Sequence, residues 1–246
     1  MSAIKKIAIV TGGSRGIGYA TASLFVDKGW QVITCSREGE IKQGDRDENW
    51  IAHVEADLTN ATSVNNFIKM VNKHIGGKSI CALVNNAGMS PKADNQERLG
   101  CLNGDIDAWR DVFELNFYAP LKLSRGFAAA LHKGVGAIVN VTSIAGHKVH
   151  PFAGSAYSSS KAALSALTRE MANEFAALNV RVNAVAPGEI STSMIQPEYE
   201  MLIPRIPLNR MGTPEDVART IYYLCSADAE YITGTEVWVT GGQHMS

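Results

Sequence analysis

Thr11-Gly12-Gly13-Ser14-Arg15-Gly16-Ile17-Gly18 is the stretch on which the reading of this chain turns. Ahead of it, Ile4 to Val10 is a short apolar run interrupted by two lysines, which predicts a strand. Behind it, Ala20, Leu24 and Phe25 recur at helical spacing. A glycine-rich turn between strand and helix lets backbone N–H groups approach a phosphate, and the helix N-terminus adds a partial positive charge. The spacing Gly12, Gly16, Gly18 departs from the G-x-G-x-x-G dinucleotide fingerprint. Glycines in such a turn also serve packing, so its place at the first strand-helix turn strengthens the phosphate reading.

Outward from that turn, strands and helices alternate. Trp30 to Cys35, Ile51 to Ala56, Ile80 to Val84, Ala137 to Val141, Val180 to Val185 and Val237 to Thr240 read as strands. Thr59 or Asn60 is placed to cap a helix through Val64, Phe67, Ile68 and Val71. Trp109 to Leu131 reads as a long helix broken or kinked near Pro120, and Ser155 to about Leu178 as another. Thr213 caps a further helix with Pro214 at its first position. Glu38 to Asn49 reads as a loop or a poorly formed helix, and Ser90 to Gly104 as polar and exposed. Ser193 to Gly212 lacks strong periodicity and is the best candidate for a mobile lid. This alternation predicts an α/β fold, a parallel sheet covered on both faces. With no linker, repeat or low-complexity segment, residues 1–246 read as one domain.

Composition narrows the function classes. Of 246 residues, 46% are hydrophobic and 19% charged, the balance of a soluble globular protein. A net charge of -1 offers no field to draw nucleic acid or an anionic membrane. No apolar run approaches the ~20 residues that span a bilayer. The first residues lead directly into a strand, so no signal peptide is expected. Cys35, Cys81, Cys101 and Cys225 are scattered, which suggests reduced thiols in a cytosolic protein and neither a disulfide frame nor a zinc site.

The chemistry concentrates between Ser143 and Lys161. Tyr157 and Lys161 are four apart at the start of an apolar periodic run, so they share one helix face. A tyrosine ionises near pH ~10, and a nearby ammonium lowers that value. Ser143 ends the strand Ala137 to Val141, where its hydroxyl faces the cleft that open α/β sheets use for ligands. A tyrosine acid, a lysine that tunes it and a hydroxyl donor suit proton transfer to a carbonyl oxygen. The same residues also fit an ordinary surface helix. Asn116 lies inside the long helix among apolar residues, where a buried amide must be bonded, perhaps only to hold a kink or a neighbouring strand. At the end of the second strand, where NAD-binding folds place an acid for the ribose, the chain reads Ser36-Arg37. Arg37, with Arg15 from the glycine turn, suits a 2′-phosphate, although a solvated loop arginine would look the same. Small residues in Asn85-Asn86-Ala87-Gly88 allow close backbone approach to a ligand. His147 and His150 read as surface histidines, and two alone make a poor metal site, so no metal is expected.

Taken together, Thr11 to Gly18, Asn85-Asn86-Ala87-Gly88, Asn116, Ser143, Tyr157-x-x-x-Lys161 and Pro187-Gly188 closely resemble the short-chain dehydrogenase/reductase family, from Lys6 to Gly242. The closing segments, Ile206-Pro207-Leu208, Gly212 to Ala218 and Ile232-Thr233-Gly234, look most like its 3-oxoacyl-carrier-protein reductase branch. The resemblance implies a Rossmann-type doubly wound sheet that binds NADP(H) in preference to NAD(H). It implies Tyr157 as the acid-base, Lys161 as its tuner and ribose holder, Ser143 as the carbonyl donor and Asn116 as support for a relay water. Cofactor contacts are then expected from Gly12, Ser14, Arg15, Gly16, Ile17 and Gly18, and from Arg37, Asp57 and Leu58. Further contacts are expected from Asn86, Ala87 and Gly88, from Tyr157 and Lys161, and from Pro187, Gly188, Ile190 and Thr192. A substrate loop over about 189–212, a carbonyl or acyl-thioester substrate and a homotetramer complete the expectation. One residue more separates Ser143 from Tyr157 than in many carrier-protein reductases, so the loop between them differs. A dehydrogenase of another small alcohol or sugar, or a non-catalytic dinucleotide sensor, would share the fold.

Overall fold

The computed structural model describes residues 5–38, 47–93, 97–192 and 197–245. Seven strands form one parallel sheet: β1 (Ile7–Thr11), β2 (Gln31–Ser36), β3 (Trp50–Glu55), β4 (Ala82–Asn85), β5 (Ala137–Val141), β6 (Arg181–Pro187) and β7 (Glu236–Val239). Their spatial order is β3-β2-β1-β4-β5-β6-β7. The winding reverses between β1 and β4, and a crevice opens there at the carboxyl ends. The expected doubly wound sheet is therefore present.

Six α-helices cover it: α1 (Gly16–Asp27), α2 (Ala61–Ile75), α3 (Ile106–Phe113), α4 (Ala119–Lys133), α5 (Ser155–Phe175) and α6 (Pro214–Cys225). Side chains alternate across each strand. Ile7 and Ile9 of β1 join a core with Phe67 of α2, Phe127 of α4 and Phe175 of α5. Ala8 and Val10 join a second core with Phe25 of α1 and Ile221 and Leu224 of α6. The sheet thus separates two apolar compartments. Asn60 caps α2 by accepting from the Ser63 N–H, and Thr213 and Asp216 form a capping box on α6.

The long helix expected from Trp109 to Leu131 is interrupted upstream of Pro120. Glu114–Tyr118 is one π-helical turn, in which the Ala119 N–H reaches the Glu114 carbonyl five residues back. Proline has no N–H for the carbonyl four residues earlier, that of Asn116, so the α-ladder cannot continue unbroken here. The segment Ser90 to Gly104 is less exposed than its composition suggests. Ala93 and Leu99 are buried in a small third core with Val112 and Ala156. Part of the proposed lid, 193–196, and most of the polar stretch after Arg37, 39–46, lie outside the described residues. Pro197–Arg205 is a 3-10 helix, and Leu202 and Ile206 beside it are buried.

A polar ladder crosses the sheet centre. The Asn85 amide donates to Asn140 Oδ1 at 2.8 Å, and the Asn140 amide donates to Thr168 Oγ1 at 2.9 Å. All three side chains are buried. Removing a partner leaves desolvated polar atoms, which costs about 1–3 kcal/mol. Asn140→Ala should lower stability by that order, read as a lower urea midpoint.

Candidate active site

A cavity of about 270 Å³ lies along the carboxyl edge of the sheet. The glycine turn forms one wall. Gly12 and Gly16 have φ of 66° and 56°, a region that L side chains rarely adopt. No side chain caps α1 at Arg15, and its first turn carries no acid, so the helix N-terminus is suited to an anion. Thr11 fastens this wall to the next: Thr11 Oγ1 accepts from the N–H groups of Asn86 and Ala87, both at 3.0 Å. The Asn86 amide returns to the Thr11 carbonyl at 2.9 Å.

Of the residues expected from the sequence, Gly12, Ser14, Arg15, Gly16, Ile17, Arg37, Asp57 and Leu58 line the cavity. So do Asn86, Ala87, Gly88, Ser143, Tyr157, Lys161, Pro187, Gly188, Ile190 and Thr192. Gly18 and Asn116 do not. Gly18 packs beneath the turn, where an added Cβ would stand 2.1 Å from the Gly12 carbonyl oxygen. Asn116 is fully buried and clamps Met89 from both sides. Its Oδ1 accepts from the Met89 N–H, and its amide donates to the Met89 carbonyl and to Ser160 Oγ, each at 3.0 Å.

Sequence reasoning passed over Glu38, which lines the cavity beside Arg37. It lies 3.8 Å from Arg15 in an exposed ion pair. Its position directly after Arg37 was the available signal. The Ser36 hydroxyl is already engaged, donating to the Glu38 carbonyl at 2.6 Å and meeting His53 Nε2 at 2.9 Å.

At the inner end, Lys161 is 3% exposed and its ammonium donates to the Val141 carbonyl at 2.7 Å. Its Nζ is 5.7 Å from the centre of the Tyr157 ring. Burial pulls the Lys161 pKa down to about 8. Gly88 leaves room for it, since a Cβ there would come within 3.3 Å of both Lys161 Nζ and Asn116 Oδ1. The Tyr157 hydroxyl is bonded to Ser143.

Two expectations need correction. Lysine was expected to draw the Tyr157 pKa down, but the net direction is upward. Burial is the largest cause, the Ser143 bond opposes it, and the charge of Glu189 adds to it. The histidines are not surface residues. His150 is 5% exposed and bonds Glu189 Oε1 at 2.7 Å. His147 is partly buried, pairs with Glu236 at 2.8 Å and packs edge-on against Trp238.

A family profile described as enoyl-(acyl carrier protein) reductase matches residues 12–244. Protein FixR of Bradyrhizobium diazoefficiens is 48% identical over 98% of this chain and 87% of its own. The 3-oxoacyl-[acyl-carrier-protein] reductase FabG of Vibrio cholerae is 34% identical over 98% of each chain. A crystal structure of a Brucella ovis oxidoreductase of the short chain dehydrogenase/reductase family, in complex with a partially ordered NAD, is 41% identical. That structure superposes with a TM-score of 0.81, covering 96% of this chain and all of the other.

The state of Lys161 can be read in stability. Below pH 8 the fold must keep a buried ammonium charged, so the destabilisation is fully present there. It declines as pH rises from about 8 to the ordinary lysine value near ~10.4, and is gone above that. Lys161→Met carries no such penalty. Its stability relative to the parent should therefore fall by on the order of 2 kcal/mol between pH 7 and pH 10 in paired denaturant titrations.

Proposed function

Because the chain belongs to the short-chain dehydrogenase/reductase family, we propose that Tyr157, Ser143 and Lys161 interconvert a carbonyl and an alcohol at the inner end of this cavity. The observation that carries the reading is the Tyr157 hydroxyl bonded to Ser143, with the Lys161 ammonium one helical turn away and buried. The open glycine turn, the uncapped α1 N-terminus and the small residues at 86–88 fit a dinucleotide. When bound, its nicotinamide supplies or takes up the hydride.

The chain supplies the rest. Ser143 donates to the carbonyl oxygen and aligns it with Tyr157. Tyr157, kept as a phenol by burial, gives the proton in reduction and takes it back in oxidation. Lys161 holds the ribose side of the cofactor and compensates charge on the tyrosine. Asn116 fixes the Met89 backbone and Ser160, and supports the water that refills the proton. The remaining cavity residues, from Gly12 round to Thr192, hold the dinucleotide, with Gly18 acting through packing. We read residues 1–246 as one domain, with the substrate loop over 189–212.

NADP(H) is the proposed cofactor, with Arg37 and Arg15 facing the 2′-phosphate. A charge-assisted bond is worth about 1.5–3 kcal/mol, less where water screens it. Glu38 favours a second reading, NAD(H), because its carboxylate could accept from the ribose hydroxyls. The proposed substrate is a 3-oxoacyl thioester, on the likeness to the Vibrio cholerae reductase. Exposed β7, with all four residues partly open at the sheet edge, fits a homotetramer in the cytoplasm.

The test is turnover with NADPH and NADH against a panel of 3-oxoacyl thioesters, small ketones and sugars. NADPH should be favoured by roughly ten-fold or more. Arg37→Ala should erode that preference and Arg37→Asp reverse it. Equal or NADH-favouring efficiency in the parent would sink the cofactor proposal. Tyr157→Phe should cut turnover by roughly 10²–10⁴-fold while cofactor still binds. Near-parental turnover would remove Tyr157 from its role. Light scattering at micromolar concentration should give four times the chain mass, and a monomer would refute the assembly.

A further inference from the structure

A second group of buried polar residues lies behind the cavity wall. Glu189 follows Pro187 and Gly188 and precedes Ile190, all three of which line the cavity. Glu189 itself does not line it and is 4% exposed. Its backbone is pinned: the Gly212 N–H donates to its carbonyl at 2.9 Å, and Ile190 and Gly212 form a parallel bridge. Its carboxylate is pinned as well. Oε1 accepts from His150 Nε2 at 2.7 Å and from the Gln243 amide at 3.1 Å.

The proton on His150 is assigned by its other nitrogen. Nδ1 accepts from the N–H groups of Phe152 and Ala153, at 3.2 and 3.0 Å. An imidazole nitrogen that accepts carries no proton, so in the neutral ring Nε2 carries it and donates to Glu189. His150 therefore aims a donor at the carboxylate while adding no charge. Glu189 retains its full negative field in a region with little water to screen it.

We infer that Glu189 is a positioning residue for Tyr157, a fixed anion held by His150 and Gln243 that favours the phenol over the phenolate. The other charges nearby do not substitute for it. Lys161 on the same helix has the opposite sign. Glu236 is paired with His147, and Asp216 is paired with Arg210 and Arg219. Glu189 is the carboxylate whose charge raises Tyr157. The consequence for the reaction is that the acid stays loaded with its proton up to a higher pH, at the expense of the base form. This deepens the proposed role of Tyr157 and takes its functional meaning from it.

The experiment needs neither substrate nor cofactor. The phenolate absorbance of the full chain is titrated with pH, and the curve of the Tyr157→Phe variant is subtracted to isolate Tyr157. Glu189→Gln keeps the volume and an acceptor for His150 but removes the charge. Its Tyr157 midpoint, subtracted against the matching double variant, should fall by about one pH unit, a tenfold gain in phenolate at fixed pH. Glu189→Asp, which keeps the charge, should move it much less. An unchanged or higher midpoint in Glu189→Gln, or an equal shift in Glu189→Asp, overturns the inference. If Glu189→Gln loses its cooperative melt, His150→Phe replaces it. A carboxylate stripped of that donor takes up a proton more readily, so the midpoint must fall again, and no fall overturns the inference. Should the parent turn over no carbonyl compound, the functional proposal fails while this titration still stands or falls by itself.

Discussion

The bond from the Lys161 ammonium to the Val141 carbonyl is the contact on which the site depends. A lysine taken out of water has to be matched by a well-placed acceptor, and here the acceptor is the last residue of β5. That choice fixes the distance of α5 from the sheet edge, and with it the place of Tyr157. It also constrains the opposite wall, because Gly88 must lack a side chain for the ammonium and Asn116 to fit. Asn116 sits on a π-helical turn, so even the irregularity of the long helix belongs to the same arrangement.

The sheet was legible because buried parallel strands are nearly continuous apolar runs, and six of the seven have no competing periodicity. The first strand, with its lysines, was legible through the glycine turn that follows. The cavity residues were legible because they cluster in short motifs at strand ends. What escaped were contacts that join distant segments. His150 and Glu189 are 39 residues apart, and no spacing rule links them. The Asn85–Asn140–Thr168 ladder likewise looks, in sequence, like three unrelated polar residues. The direction of the Tyr157 pKa escaped for a related reason. Spacing on a helix names a neighbour such as Lys161, but it does not report the burial or the charge arriving from another strand. Proline at 120 signalled a kink, and the registry of that kink needed the fold.

Glu38 shows how a local reading can stop one residue short. Arg37 alone argues for a phosphate, whereas Arg37 and Glu38 together present both signs at one cavity mouth. The exposed Arg15–Glu38 pair is weak, so neither side chain is held from a ligand by the other. In contrast, the anion near Tyr157 is buried and doubly bonded, and its effect is not open to screening by salt.

The separation of the two apolar compartments by the sheet has a consequence for how the protein tolerates change. The glycine turn rides on α1, whose apolar face belongs with α6, while Tyr157 and Lys161 ride on α5, whose apolar face belongs with α2 and α4. Substitutions in the two compartments share few neighbours, so their effects should combine additively. Drift that loosens one compartment therefore reaches ligand capture and proton chemistry separately. A lineage could remodel the grip on its dinucleotide through the first while the second stays under its own, independent selection.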